Sequence, residues 1–310
     1  MKHILLFVLF LIAAFCVAAG VMVPFAGSFG ELFQWIGSAD ALTVVILWGL
    51  GFSAASFFFG MFTGDYSWVD RIWSVLPVAF VWYYAARGGF SLPLIITALL
   101  VTVWGTRLTW NFSIKGGYTG AEDYRWSILR GRITNPILWQ LFNLLFIAFF
   151  QIGLFVLFTY PVMYIASFAS AGMPSLFIPA AMLAAICITV ETIADNQQRR
   201  FQTAKHGPKD TLPEQDREDA ARGFLTRGLF GVSRHPNYFG ELGFWWSVWL
   251  MALSFSGDLL GSGVFGPLAL TALFIGSTVF TESLSSAKYP AYKEYQKTVS
   301  PIVPWFAKKG

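Results

Sequence analysis

Long apolar runs separated by shorter polar stretches dominate the chain. In hydrocarbon a backbone must satisfy its own hydrogen bonds, so a run of about 20 apolar residues predicts a membrane-spanning helix. A transmembrane barrel would instead show short segments of alternating polarity. The pattern predicts an all-α polytopic integral membrane helical bundle with about eight transmembrane helices, over residues 4–24, 41–63, 71–86, 89–106, 136–160, 174–194, 238–256 and 260–281.

Composition agrees with this pattern. Hydrophobic residues make up 56% of the chain and charged residues only 12%, which excludes a disordered chain and an ordinary soluble globule. The first apolar run is long enough for a retained transmembrane helix, with a cleaved signal peptide as the alternative.

The basic residues predict the orientation. With eight spans, all but Arg87 of the 21 Lys and Arg residues fall on one side of the membrane. Since positive charge concentrates on the cytoplasmic side, we expect a multi-pass protein, of the bacterial inner membrane, with both termini cytoplasmic. Two long polar segments, 107–136 and 195–236, would lie on that side and close over a site.

The segment around Pro236 carries the sharpest candidate chemistry. Proline suits the first turn of a helix, and a helix start beside Arg234 suits an anionic group such as a cofactor phosphate. Asn237 and Glu241 are four residues apart, so they share a helix face. An ionisable group such as Glu241 inside an apolar span is costly and usually functional. The alternative is an interfacial helix cap whose arginines contact lipid phosphates.

A second polar group leaves the membrane along one helix face. Glu191, Asp195, Gln198 and Gln202 recur at spacings of four, three and four, which places them on one stripe. Such carboxylates and amides could hold a ribose or an adenine by hydrogen bonds. The alternative is a solvated interfacial face.

Two further positions have balanced interpretations. Asp70, close to Tyr66, is either a proton donor or orienting group under the bilayer surface, or half of an interfacial pair with Arg71. Arg107 either reaches a bound phosphate or extends to the interface while its stem stays in the apolar layer.

The run Ser233-Arg-His-Pro-Asn-Tyr-Phe-Gly-Glu241 resembles the membrane family of steroid 5α-reductases and its bacterial relatives, the DUF1295 proteins. Supporting matches are Asp65, Ser67, Asp70, Trp73, Asp195, Tyr292, Tyr295 and residues 302–304. The resemblance covers about residues 41–305. It therefore implies a reductase-like membrane domain over 41–310, with a seven-helix core, and an extra N-terminal helix and non-cytoplasmic loop over 1–40.

The resemblance implies an NADPH-dependent oxidoreductase that reduces a carbon–carbon double bond conjugated to a carbonyl in a sterol-like or other lipid-like enone. Asn237 and Glu241 match the family's cofactor-contacting amide and acid, Asp195 matches an acid near the adenosine end, and Arg107 matches an arginine that precedes it. The predicted catalytic residues are Asp70 and Tyr66. The predicted cofactor-binding residues are Asn237, Glu241, Asp195, Glu191, Arg107, Arg199, Arg234, His235 and Tyr238.

Three departures favour cofactor binding over the steroid reaction itself. The family's catalytic Gln-Glu pair has no counterpart, its catalytic Tyr aligns with Trp104, and Thr281-Glu282-Ser283 replaces a basic cluster. One alternative is an S-adenosylmethionine-dependent methyltransferase of the isoprenylcysteine carboxyl type, in which Glu282 would be the comparable acid. Another is a non-enzymatic lipid-binding membrane protein. We predict membrane lipids and a lipid-like small molecule as partners, no nucleic acid, and no metal because the three histidines are scattered.

Overall fold

The computed structural model describes residues 2–168, 170–207 and 214–306, without the side chains of 214–216. Within these ranges the regular structure is helical, and no strand is present. The helices are α1 Lys2–Ala26, α2 Leu32–Ser38, α3 Ala41–Thr63, α4 Trp68–Ile72, α5 Leu76–Arg87, α6 Leu92–Ile114, α7 Tyr124–Arg132, α8 Pro136–Ala166, α9 Phe177–His206, α10 Glu214–Arg222, α11 Pro236–Ser256, α12 Phe265–Lys288 and α13 Tyr292–Thr298.

Six of the described helices are long and apolar enough to cross a membrane: α1, α3, α6, α8, α9 and α12. The other two predicted spans correspond to α5 and α11. Helix α5 has 12 residues, so at about 1.5 Å per residue it is much shorter than the roughly 30 Å hydrocarbon layer. Helix α11 has 21 residues, but Glu241 and several Trp and Ser residues lower its hydropathy. The all-α membrane fold is confirmed, whereas the count of eight is not.

The chain divides into two compact units. Unit 1 comprises Met1–Phe177 and Met251–Gly266, and unit 2 comprises Ile178–Leu250 and Pro267–Gly310.

In unit 1, α1 packs along α3 through a stripe of residues spaced by four: Phe10, Ala14, Ala18 and Met22 are buried. At Gly51 of α3, an added Cβ would lie 2.3 Å from the Cα of Ala18. Small residues therefore bring the two backbones together, as is common between membrane helices.

The short helices of unit 1 are held by side chains from neighbouring elements. Arg87 donates to the carbonyl oxygens of Ile36 (3.1 Å) and Ala39 (2.6 Å) at the end of α2. A cation suits this end of a helix because the last carbonyls carry the negative end of the dipole. The sequence predicts only a loop for the segment that contains α2. The end of this helix binds Arg87, which is the one basic residue on the predicted non-cytoplasmic side.

In unit 2, α9 and α11 touch at a glycine. A Cβ on Gly240 would lie 2.6 Å from the Cβ of Glu191 and 2.9 Å from the carbonyl oxygen of Cys187. Farther along the chain, a small aromatic core of Phe224, Tyr292, Tyr295 and Val299 connects the segment before α11 to α13.

Two helices continue beyond the predicted membrane spans. Helix α6 continues through Arg107 to Ile114, and α9 continues through Asp195 to His206. The polar stripe that contains Glu191 and Asp195 therefore lies on a single helix. A helix can leave the membrane in this way because its backbone groups stay paired within it. Residues 208–213 of the second predicted polar segment lie outside the described residues. Cys16 is exposed on α1 and Cys187 is buried; neither forms a disulfide.

Candidate functional site

The residues before α11 form a buried cluster around Glu282 of α12. Arg234 binds the carboxylate through two hydrogen bonds, Nε to Oε1 at 2.6 Å and Nη2 to Oε2 at 3.0 Å. His235 Nε2 lies 3.1 Å from Oε1, and Gln296 Nε2 donates to Oε2 at 2.7 Å. The Arg234 and Glu282 side chains are 8% and 9% exposed. The cluster fixes the start of α11 to α12 and α13.

The C-terminal segment 299–305 completes this arrangement. The backbone N–H groups of Arg234 and His235 donate to the carbonyls of Ser300 (2.8 Å) and Pro301 (3.0 Å). The N–H of Trp305 donates to the carbonyl of Val232, and Arg234 also binds the carbonyl of Val299. The guanidinium and amides that the sequence offered to an anion are thus engaged within unit 2. A cofactor contact by Arg234 or His235 stays a prediction.

The first turns of α11 carry the other predicted residues. Tyr238 stacks on the His235 ring, with centroids 5.0 Å apart, and Asn237 is half-buried. Glu241 is 4% exposed, and Trp245 Nε1 donates to its Oε1 at 3.3 Å. A carboxylate buried to this extent is costly, which marks Glu241 as a candidate functional group.

The polar stripe of α9 runs from the interior outward. Glu191 is 4% exposed and Asp195 is half-buried, while Gln202 is exposed. Arg199, one turn beyond Asp195, is exposed and donates to the Asn196 side chain at 3.0 Å. Because α9 meets Gly240 at Glu191, the buried end of the stripe lies beside the α11 turn that carries Glu241.

In unit 1, Asp70 lies in a polar network built by α4 and α7. Trp126 Nε1 donates to its Oδ2 at 2.7 Å, and the Arg125 guanidinium lies 3.8 Å from Oδ1. Burial and the nearby Asp123 carboxylate raise the pKa of Asp70 to about 6, although Arg125 opposes the shift. Asp70 can therefore hold and release a proton close to neutral pH.

The pair of Asp70 with Arg71, one of the two alternatives that the sequence left open, does not form. Arg71 Nη2 binds Asp65 at 2.5 Å, and its Nε donates to the carbonyl of Gly117 at 2.9 Å. Neighbouring residues on a helix point in different directions, so Arg71 and Asp70 reach different partners.

The other predicted residues of unit 1 are placed as follows. Tyr66 is buried against Trp139, and its hydroxyl accepts a hydrogen bond from Gln140 at 3.1 Å. Its backbone N–H donates to Glu122. Arg107 is half-buried on α6 and engaged in interactions.

Sequence reasoning did not identify the residues that surround Asp70. Asp123, Arg125 and Trp126 belong to a stretch whose aspartate caps α7, accepting from the backbone N–H of Arg125. The sequence indicates this helix cap, but it does not indicate that the three residues approach Asp70. Across the described residues, no three His, Cys, Asp or Glu side chains gather to hold a metal ion.

The family model for a protein of unknown function, DUF1295, matches residues 56–299. The chain belongs to the DUF1295 family. This domain is known in the context of the steroid 5α-reductase-like membrane proteins, so the predicted resemblance is confirmed. An uncharacterized protein of Schizosaccharomyces pombe is 36% identical over 273 residues, covering 84% of this DUF1295 chain and 76% of the yeast protein. No solved structure matches.

Proposed function

We propose that this DUF1295 protein is a membrane-embedded NAD(P)H-dependent reductase of a conjugated carbon–carbon double bond in a lipid-like substrate, of the sterol or another enone type. The observation that carries the proposal is the burial of Glu191 and Glu241, each 4% exposed, on two helices that touch at Gly240. Membrane helices retain such costly groups where they bind or react. The resemblance of the family to the steroid 5α-reductases suggests the reaction class.

The residues of unit 2 fit part of such a cofactor. Carboxylates and a side-chain amide match the hydroxyl and amide groups of a nucleotide, which need acceptors and donors rather than charge. Asn237, Glu241, Glu191 and Asp195 would hold those groups. Exposed Arg199, one turn farther out, suits a phosphate.

Reduction of the double bond adds a hydride and a proton, and the nucleotide supplies the hydride when bound. The protein's own contribution is the proton and the stabilisation of negative charge at the substrate oxygen. Asp70 suits the proton donor, because its pKa of about 6 leaves part of the population protonated near neutral pH. Tyr66, whose hydroxyl accepts a hydrogen bond from Gln140, is the second proposed catalytic residue.

Glu282 speaks against the methyltransferase alternative. The acid that this alternative would use is held by Arg234, His235 and Gln296 in a buried cluster, so it is engaged structurally rather than open to a substrate.

Nucleotide binding to the purified full-length protein in nanodiscs tests the proposal. We expect NADPH to bind and Glu241→Gln to weaken binding at least about tenfold, because a hydrogen bond to a charged group is worth roughly 1.5–3 kcal/mol. Asn237→Ala should weaken binding about twofold to tenfold, because a neutral hydrogen bond is worth roughly 0.5–1.5 kcal/mol. Control variants Asn111→Ala and Glu294→Gln, outside the proposed site, should bind as wild type. Binding of S-adenosylmethionine without NADPH would reverse the assignment.

A further inference from the structure

A second candidate site lies entirely within unit 1. A lateral groove of about 600 Å³ opens between α1, α5 and α6. Its size lies within the range typical of small-molecule sites, roughly 300–1,000 Å³. None of the residues discussed above as a catalytic or cofactor-binding candidate lines it.

The groove has an apolar body. Ile4 and Phe7 of α1 form one wall, and Val75 and Val78 form another. Ile4, Val75 and Trp110 are well exposed, at 56%, 40% and 65%. Since α1 and α6 are long and apolar enough to cross a membrane, we infer that the exposed side chains of Ile4 and Trp110 face the lipid phase.

One end of the groove carries converging hydroxyl groups. Ser74 Oγ and Thr109 Oγ1 are 2.6 Å apart, and the Tyr118 hydroxyl lies close enough to both to interact with them. Tyr118 donates to the carbonyl of Arg71 at 2.9 Å, and burial raises its pKa. Tyr118 therefore stays neutral, as serine and threonine hydroxyls do. Together the three groups can donate to or accept from one further oxygen.

Additional hydroxyl groups line the same face of α6. Thr102, Thr106, Thr109 and Ser113 follow one another at spacings of four, three and four. This spacing keeps them on one side of a helix, and all four line the groove.

The charge of the residues that line the groove determines whether it can bind a charged or a neutral ligand. None of the described residues that line the groove is charged, so an ionised headgroup would lose its hydration without a counter-ion. An apolar chain carrying one neutral oxygen would keep both its hydrocarbon and its hydrogen bond satisfied.

We propose that this groove binds a neutral long-chain lipid alcohol or ketone from the bilayer, with its oxygen at Ser74, Thr109 and Tyr118. Helix α1 is part of the site, although it precedes residues 56–299 that the family model matches. The proposal stands on unit 1 alone and is independent of nucleotide binding.

Photolabelling of the full-length protein in phosphatidylcholine nanodiscs tests the site without any nucleotide. The probe is hexadecanol bearing a diazirine in its chain, with the matching hexadecane and hexadecyl phosphate as comparisons. We expect saturable labelling of peptides around residues 4–7 and 102–113, strongest for the alcohol. Equal labelling by the hydrocarbon, or stronger labelling by the phosphate, would overturn the proposal.

Two variants separate the apolar body from the hydroxyl end. Thr106→Trp should fill the groove and reduce labelling at least about tenfold, whereas Val103→Trp, also exposed on α6 but outside the lining, should not. Thr109→Val should raise the alcohol concentration that gives half-maximal labelling about fivefold to tenfold, as expected for one lost hydrogen bond. Labelling by the hydrocarbon should not change. If Thr106→Trp is labelled as strongly as wild type and unfolds at the same temperature, the groove does not bind the alcohol.

Discussion

At the scale of single residues, two buried carboxylates have opposite environments. Glu282 faces a bidentate arginine, a histidine and an amide donor. Asp70 has a strong indole donor but lies near another carboxylate, and its guanidinium partner is 3.8 Å away. The first environment suits a fixed negative charge, and the second suits a group that exchanges protons.

The raised pKa of Asp70 predicts a pH dependence of stability. The folded protein holds this proton more tightly than the unfolded chain, whose aspartate titrates near 3.8. The stabilising contribution of the protonated carboxyl is therefore complete below about pH 4 and is lost as the pH rises through about 6. In thermal unfolding scans, wild type should lose stability relative to Asp70→Asn across this window. Parallel curves for the two proteins would contradict the assignment.

Loss of Glu282 should destabilise unit 2 strongly. Glu282→Ala leaves Arg234 buried without its carboxylate, which should cost about 3–5 kcal/mol of unfolding free energy. The exposed pair of Glu294 with Lys297, at 69% and 70% exposure, provides the control. Glu294→Ala should cost less than about 1 kcal/mol. Denaturation with SDS in mixed micelles measures both changes, and similar values would argue against a structural role for the cluster.

Residue identity along the chain revealed the central groups but not their partners. Glu241, Glu191 and Asp70 could be selected because charge inside or beside an apolar run is costly. Trp126 binds Asp70 across 56 positions, and Arg234 binds Glu282 across 48. Such pairs depend on how helices pack, which local spacing does not encode. Adjacency suggested a pair of Asp70 with Arg71, and the helix geometry separated them.

At the scale of elements, hydrophobic runs located the helices better than their ends. The start of α3 and its end at Thr63 agree with the predicted 41–63. Helices α6 and α9 instead extend well beyond their apolar parts, because a helix leaving the bilayer can present polar side chains to water while its backbone remains paired. The same continuity carries Asp195 and Arg199 on one rigid element with Glu191.

Close packing of α9 against α11 should depend on Gly240. Gly240→Ala places a methyl group against Glu191 and a backbone carbonyl, so we expect a loss of about 1–3 kcal/mol from overpacking. Gly276→Ala on α12, where an added Cβ meets nothing within 4 Å, should be neutral or stabilising by up to about 1 kcal/mol. The same unfolding assay tests both, and a neutral Gly240→Ala would show that the helices separate easily.

At the scale of the whole molecule, the composition was enough to predict an all-α membrane protein. The motif at residues 233–241 was enough to predict the family. The distribution of basic residues adds an orientation, with both termini cytoplasmic, that stays a prediction. It places Lys115 and Phe90, both exposed, on opposite sides of the membrane.

Single cysteines can test that orientation. In a Cys16→Ser, Cys187→Ala background, Phe90→Cys should react with a membrane-impermeant maleimide added to intact cells. Lys115→Cys should react only after the membrane is opened. The reverse pattern would place both termini outside the cytoplasm, and detergent-solubilised samples of each variant control for intrinsic reactivity.

The last described residues have a consequence for biosynthesis. Residues 299–305 pair with the backbone just before α11, and Gln296 joins the Glu282 cluster. These residues leave the ribosome after α9, α11 and α12. Those helices can enter the bilayer earlier in translation, but unit 2 can reach its final form only once residue 305 has been synthesised. A nascent chain that is stalled or truncated before residue 296 would therefore expose an incompletely assembled unit to quality-control proteases.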